Sequence, residues 1–575
     1  MVTQSFDIYH AGDKRRVVGR AQIDCADSRL TPTAVHEGLP FVRANCKDIP
    51  AQMCMTVTLV CATIVATGPI PDRRQTAMGF SRREFITAGA AVGASLVLAS
   101  CSDSAPSVIK DLQGRLTGSV LVPGDSRFAE ENLPANDRYE PVIPAAIALC
   151  ETPEDVQACV QWCTREGVQP VARGGGHNYI GASTTTGLLI KTSAMNKVVV
   201  DAKAQTVTVE SGAVNANLLS ALRGGSLMVP IGTCPSVGVA GLTLGGGIGD
   251  NSRWAGMTCD HLESTRLVLA NGDFVEASAT VNPDLFWALR GAAGGNFGIN
   301  TSLTFRLLEI PKKTITVYGM RFSGKEAIVP AWSAFDRLML AAPDELSGFT
   351  GITNVRPLGA DNTPAPGYPV SFPTLSVDGC FQGDEKTARE VLQPVLGCNP
   401  TDVIFGEMDY WSAQLNWLAV GEMPKHGMEE CSRFTNVPIS LDHLAELVDR
   451  VKAAPGRTED ANAEVRLMCW SGGRANRIAG DAMAYVHRSD NHLLRPAVWW
   501  RDQPDSMQRD LLDWTADTFR FISDFTQPGS FQNWPYSAQM DWQQAYYGAN
   551  FDRLRKIKQK YDPGNLFRYA QSIPV

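Results

Sequence analysis

The stretch Val171–Ser183, VARGGGHNYIGAS, sets Gly174, Gly175 and Gly176 directly before His177. Consecutive glycines let backbone N–H groups come close to an anionic ligand, so phosphate binding is the first reading. An imidazole is nothing a phosphate loop requires, so the histidine calls for a separate explanation. A second glycine-dense stretch, IGTCPSVGVAGLTLGGGIGDNSRWAGMTCDHL, covers residues 231–262. There Gly232, Gly238, Gly241, Gly245, Gly246, Gly247 and Gly249 alternate with small residues, which suits a backbone lying flat against a large planar ligand and its diphosphate. No GxxxxGK[ST] occurs, which removes the phosphate-loop NTPases. The GxGxxG-like density of GGGIG is weak without a clearly placed acidic residue about twenty positions beyond the first βα turn.

Around these loops the pattern is mixed α/β. PEDVQACVQWCTREG predicts an amphipathic helix with Val156, Cys159, Val160 and Cys163 on one face and Gly167 as its stop. Strands are expected at Val168–Ala172, Gly187–Lys191, Lys197–Val200 and Thr206–Glu210. After Ile310-Pro311 the composition changes. Strands at Thr314–Phe322, Thr374–Phe381 and Glu464–Trp470 then mix with longer helices at Gly383–Leu396, Leu441–Ala453 and Gln508–Asp524. Near the end, NFDRLRKIKQKYDP predicts a helix capped by Asn550 and stopped at the DPGN turn.

With 575 residues the chain exceeds one ordinary core, and two or three structural domains are expected. A formal net charge of -8 and no cluster of Lys and Arg argue against nucleic acid and for a small-molecule partner. The fourteen cysteines form no CxxC pair, so neither a zinc ribbon nor a thioredoxin motif is indicated. SRREFITAGAAVGASLVLASC, Ser81–Cys101, has a paired arginine, a short apolar core and a small-residue processing site. It resembles a twin-arginine export signal ending in a lipobox, which implies a periplasmic or surface location and a lipid anchor at Cys101. Because Met78 lies just before it, translation is expected to start there, with 1–77 an over-extended N-terminus, 78–101 the signal and 102–130 a linker.

The two glycine loops are followed by NPDLFWALRGAAGGNFGINTSLTFRL (Asn282–Leu307) and YYGANFDRLRKIKQKYDPGNLFRYAQSIP (Tyr546–Pro574). In this order and spacing the four segments resemble the FAD-linked oxidases of the berberine bridge enzyme and glucooligosaccharide oxidase family, over roughly residues 130–575. The resemblance implies an α+β fold: a PCMH-type, vanillyl-alcohol-oxidase-like FAD-binding domain of two subdomains over 131–311. It further implies an antiparallel-sheet substrate domain covered by helices over 312–530, and a C-terminal segment, 531–575, returning to the FAD site. RGGGHN is similar to the family's RSGGHS loop, which places Arg173 and Asn178 beside the cofactor and implies a covalent bond from His177 to the 8-methyl carbon of the flavin. A histidine merely hydrogen-bonded to phosphate is the plainer reading. GTCPSVGVAG resembles GxCPxVGxGG, whose cysteine, here Cys234, bonds to flavin C6 in bicovalent members; an unbonded small apolar cysteine competes. Val237 falls on the position that admits O2, which favours oxidase over dehydrogenase. Asn296, Gly298 and Ile299 match the flavin-lining GGNFGI segment, and Asn533 matches a position near the flavin.

A base is needed to take a hydroxyl proton while hydride leaves the neighbouring carbon. Many relatives carry an Asn-Tyr pair where this chain has Asn533-Trp534, so Trp534 replaces the tyrosine, and Tyr536 is the candidate substitute. The inward strand Leu493–Trp500 offers Arg495 and two tryptophans but no carboxylate. His487 and Arg488 are either substrate-facing or structural. The expected activity is hydride transfer from a sugar or secondary-metabolite alcohol to covalent FAD, reoxidised by O2 to hydrogen peroxide. The alternatives are a dehydrogenase with another acceptor, or a surface lipoprotein that carries flavin without turnover.

Overall fold

The computed structural model describes residues 2–8, 17–23, 105–310, 314–353, 373–420 and 426–575. The first two segments pair with each other as an antiparallel hairpin, Val2–Ile8 against Val17–Ile23. The predicted export signal lies outside the described residues.

The segment leading into the first glycine loop follows local rules. Thr152 caps the helix Pro153–Glu166 through a capping box with Asp155, and Gly167 ends it in the left-handed region at φ 68°. Val156, Cys159, Val160 and Cys163 are fully buried, each aliphatic side chain contributing roughly 1.5–3 kcal/mol relative to exposure. They cover a four-stranded sheet in the order Ser119–Leu121, Ala146–Leu149, Leu188–Lys191, Pro170–Arg173, parallel except for its first pair. The expected linker is therefore folded from Ala105 on. Helix Ala105–Gln113 leads into strand Ser119–Leu121, and the buried Asp155 carboxylate accepts the N–H groups of Thr117 and Gly118 at 2.7 and 3.1 Å.

A second, five-stranded antiparallel sheet runs Phe274–Ser278, Leu262–Val268, Ile299–Arg306, Thr206–Glu210, Val198–Asp201. The third large sheet is antiparallel and has eight strands. Along its main path lie Asp402–Asp409, Thr314–Ser323, Thr374–Phe381, Leu346–Thr353, Ala461–Cys469, His492–Trp500 and Gly427–Glu430, with Arg433–Thr435 also paired to His492–Trp500. Strand alternation divides its residues. Val465, Leu467 and Leu494 pack under the helices Lys325–Ala341 and Leu441–Ala453, whereas Met468 and Leu493 join a cluster with Ile248 and Phe531. The fold is α+β. The helix expected over Gly383–Leu396 is two short ones, Glu385–Val391 and Gln393–Leu396, because Pro394 cannot donate within a continuous helix.

The C-terminal helix Phe551–Tyr561 returns to the first domain. Its buried Lys558 donates to Asp562 at 2.6 Å and to the carbonyls of Asn296 and Phe567 at 2.7 and 2.6 Å. Asn550 does not cap this helix through its side chain. Its amide instead donates to the carbonyls of Gly480, Met483 and Ala484, a tertiary use that outcompetes the local one.

Candidate functional site

Between the two glycine loops and the C-terminal return lies a cleft of about 260 Å³, open at one side. Arg173, Gly174, Gly175, Gly176, His177, Asn178, Val237, Gly238, Gly241, Gly298, Ile299, Asn533 and Trp534 all line it.

The floor is backbone. At Gly175 a Cβ would lie 2.5 Å from the Ser236 carbonyl oxygen and as close to Gly238 N, so the two loops touch only because both positions lack a side chain. At Gly245 the missing Cβ makes room for the Asn533 side chain, whose amide donates to the Leu242 carbonyl at 2.8 Å. Arg173 holds the first loop from beneath, donating to the carbonyls of Ser183 at 2.8 Å and Asn132 at 2.6 Å. Burial lowers its pKa to about 10, which leaves it charged at neutral pH. The Asn178 side-chain oxygen Oδ1 accepts from the N–H groups of Ile180 and Ala182, shaping the turn after His177.

At one end of this floor Ser236 Oγ stands 2.9 Å from His177 Nε2 and 3.6 Å from Cys234 Sγ. His177 Nδ1 makes no hydrogen bond among the described residues. Burial, and next the charge of His426, lower the His177 pKa to about 4, so the imidazole is neutral and nucleophilic at neutral pH. Cys234 itself stands behind the lining residues, held by Asn215, whose amide donates to the Cys234 carbonyl at 2.9 Å.

Beside Tyr179 and Trp534, outside the lining itself, stands a row of charges on adjacent strands, Glu430, Glu464 and Arg495 buried and Arg466 partly exposed. Arg495 lies 2.9 Å from Glu430 and 3.5 Å from Glu464, which in turn pairs with Arg466 at 2.6 Å. The Arg495 guanidinium sits over Trp534, 4.9 Å from its ring centroid. Tyr179 lines the cleft beside them, its hydroxyl pushed far up by burial and then by the Glu430 carboxylate. Burial likewise raises the Glu430 carboxyl above the usual carboxylate range, against the pull of Arg495.

Several expected residues stand elsewhere. Tyr536 is not brought to the cleft; its ring packs on Phe519, 4.9 Å between centroids, and its N–H donates to the Tyr546 hydroxyl. Asn296 does not line the cleft. Its amide donates to Ala292 O at 2.9 Å and Tyr569 Oη at 3.1 Å, and its oxygen accepts from Ile573 N at 2.8 Å, which fastens the chain end. Gly232, Gly246, Gly247 and Gly249 form the layer below the floor, where Gly247 O accepts from Thr258 N. His487 and Arg488 are structural: His487 bonds Asp490 at 3.0 Å and stacks on Phe434, and Arg488 pairs with buried Asp260. Ser236, Tyr179 and Glu430 were not singled out from sequence. The first two could have been found as neighbours of Cys234 and His177; Glu430 has no local signal.

The cradle of Gly175 and Gly238 and the neutral His177 at its edge fit a flavin dinucleotide. Residues 144–278 match the model of the FAD binding domain, and residues 530–574 match the berberine and berberine-like model. The xylooligosaccharide oxidase of Thermothelomyces thermophilus is 31% identical over 479 residues, covering 79% of this chain and 92% of that protein. An uncharacterised FAD-linked oxidoreductase of Bacillus subtilis is 29% identical over 469 residues, 80% of this chain and 97% of its own. Among solved structures, the glucooligosaccharide oxidase of Acremonium strictum superposes with a TM-score of 0.72 at 25% identity, over 81% of this chain and 99% of that one; its flavin is described as 6-S-cysteinyl, 8α-N1-histidyl FAD. With its cleft, its two matched domains and its relatives in agreement, the chain belongs to the FAD-linked oxidoreductase family of berberine bridge enzyme-like and glucooligosaccharide oxidases.

Proposed function

We propose that the chain is an oxidase that removes hydride from an alcohol carbon of a carbohydrate-type substrate, using FAD bonded to His177 and Cys234 and returning the electrons to O2 as hydrogen peroxide. The observation that carries this reading is the placement of His177 and Cys234 on one hydroxyl, that of Ser236, at the edge of a glycine cradle. Bound FAD supplies the hydride acceptor. His177, neutral at working pH, supplies the nitrogen for one bond, and Nδ1 is its free atom. Relatives named for xylooligosaccharide and glucooligosaccharide oxidation support a sugar hydroxyl as the group oxidised.

In this reading Glu430 takes the hydroxyl proton onto its carboxylate. Burial raises its affinity for a proton, and Arg495 fixes its orientation from the neighbouring strand. Tyr179 and Trp534 form the surface against which the substrate rests, an indole being well suited to a sugar ring. Val237 at the cleft leaves access for O2. The proposal includes export through the signal at Ser81–Cys101, with a lipid anchor on Cys101, and a cofactor bonded to the chain is not lost during such transit.

The test is peroxide release across a panel of oligosaccharides and aromatic alcohols, with stopped-flow reoxidation in air. Turnover on at least one oligosaccharide with rapid reoxidation by O2 is expected. Reoxidation by quinones but not by air would make the protein a dehydrogenase. Silence on every substrate, with a flavin that dithionite still reduces, would make it a flavin carrier.

A further inference from the structure

We propose that Ser236 is a positioning residue for both flavin bonds: its hydroxyl selects the His177 tautomer that leaves Nδ1 free and turns its own proton toward the Cys234 sulfur. The proposal rests on the covalent attachment proposed above. Three observations carry it. Ser236 Oγ is 2.9 Å from His177 Nε2 and 3.6 Å from Cys234 Sγ, and it is the one group among the described residues that contacts both side chains. The segment bearing it is pinned to the His177 loop by backbone, because a Cβ on Gly175 would lie 2.5 Å from the Ser236 carbonyl. Asn215 clamps the same segment from its other side, donating to the carbonyl oxygens of Gly232 and Cys234.

The proton inventory then decides between two arrangements. A neutral imidazole has one N–H, and a hydroxyl has one donor and two acceptor sites. With the proton on Nε2, that N–H donates to Ser236 Oγ, Nδ1 keeps its lone pair, and the Ser236 O–H is free to donate to sulfur. With the proton on Nδ1, the Ser236 O–H is used up on Nε2, the free nitrogen has no lone pair to offer, and the sulfur loses its donor. Only the first arrangement prepares both nucleophiles. A hydroxyl donating to sulfur gives the Cys234 side chain a fixed partner beside His177.

Each attachment would break one C–H bond on the flavin, at the 8-methyl carbon or C6, and release one further proton, from Nε2–H of His177 once Nδ1 has bonded or from the Cys234 S–H. The new N–C or S–C bond forms while two electrons pass to the flavin ring. Those electrons, with the two protons, leave on O2 as hydrogen peroxide, the same acceptor the proposed turnover uses.

The experiment compares Ser236→Thr and Ser236→Val, which share a shape and differ in the hydroxyl, with Ser236→Ala as a smaller third variant. Each full chain is expressed with FAD and precipitated in acid, and its proteolytic peptides are weighed for flavin on the Cys234 and His177 segments. Ser236→Thr should keep both bonds near the wild-type occupancy. Ser236→Val and Ser236→Ala should lower Cys234-linked flavin about tenfold and slow the growth of the His177-linked fraction during reconstitution, as expected for losing one hydrogen bond. Equal occupancy of both bonds in the Thr and Val variants would overturn the role of Ser236. A wild-type protein without any flavin-bearing peptide would overturn the attachment and this proposal together, and that result is separate from a difference among variants.

Discussion

The floor of the cleft is made of backbone: two glycine loops in contact at Gly175 and Gly238, fastened by Arg173, Asn215 and Asn533 to carbonyl oxygens. The opposite wall is backed, beside Tyr179 and Trp534, by acidic and basic side chains, Glu430, Arg495, Glu464 and Arg466, drawn from three neighbouring strands. The two surfaces do different work. A glycine floor follows a flat cofactor and contributes fixed N–H dipoles, whereas buried charges hold a proton acceptor in one orientation and tune its proton affinity. Damage to the floor should therefore appear as lost flavin, and damage to the wall as lost turnover with flavin retained.

The sharpest separation is expected from Glu430→Gln. It should lower kcat by about 10²–10⁴, the usual worth of a general base, while acid-precipitated protein keeps its full flavin. Loss of flavin in that variant would join what the comparison separates. On the floor, Gly175→Ala places a methyl group against the Ser236 carbonyl and the Gly238 backbone. Neither neighbour is a side chain able to yield, so the penalty should exceed the roughly 1–3 kcal/mol of ordinary overpacking, and flavin per protein after purification should fall accordingly.

A smaller effect is expected beneath the floor at Asp250. Burial raises its carboxyl to about 6, although Gln414 donates to it at 2.9 Å. Between about pH 4 and 6 the folded chain keeps a proton that the unfolded chain has already released, so stability falls as pH rises through that window. Asp250→Asn removes this fall. Its melting temperature should exceed that of the parent at pH 7 and match it near pH 4, a difference of up to about 3 kcal/mol at roughly 1.4 kcal/mol per pH unit. The smallest effect belongs to Trp534→Phe, which weakens the contact with Arg495 by about 0.5–1 kcal/mol. It should raise KM a few-fold with kcat and flavin content near those of the parent.

The same contrast explains what the amino-acid sequence discloses. Floor elements are specified within short stretches: Thr152 and Gly167 bound the helix Pro153–Glu166, and the loop glycines stand beside His177 and Cys234. The wall is assembled by pairing strands distant in the chain. Glu430 meets Arg495 only because Gly427–Glu430 pairs with His492–Trp500, a register no local pattern encodes. Side-chain roles failed in the same way. Asn296 and Asn550 read as a flavin contact and a helix cap, yet each is used by carbonyls and amides far along the chain. Tyr536, two residues from Trp534, faces Phe519 because its N–H is taken up by the Tyr546 hydroxyl. The stretch between residues 102 and 130 looked like a linker because Asp155, which accepts the N–H groups of Thr117 and Gly118, lies almost forty residues away.

The central claim is that the floor holds its flavin through His177 and Cys234. Its most direct test is the mass of flavin-bearing peptides from acid-precipitated protein, measured for the parent, His177→Ala and Cys234→Ala. The account predicts a yellow parent pellet with flavin on both segments, and in each variant flavin on the remaining segment alone. A colourless parent pellet, with all flavin in the supernatant, would contradict it.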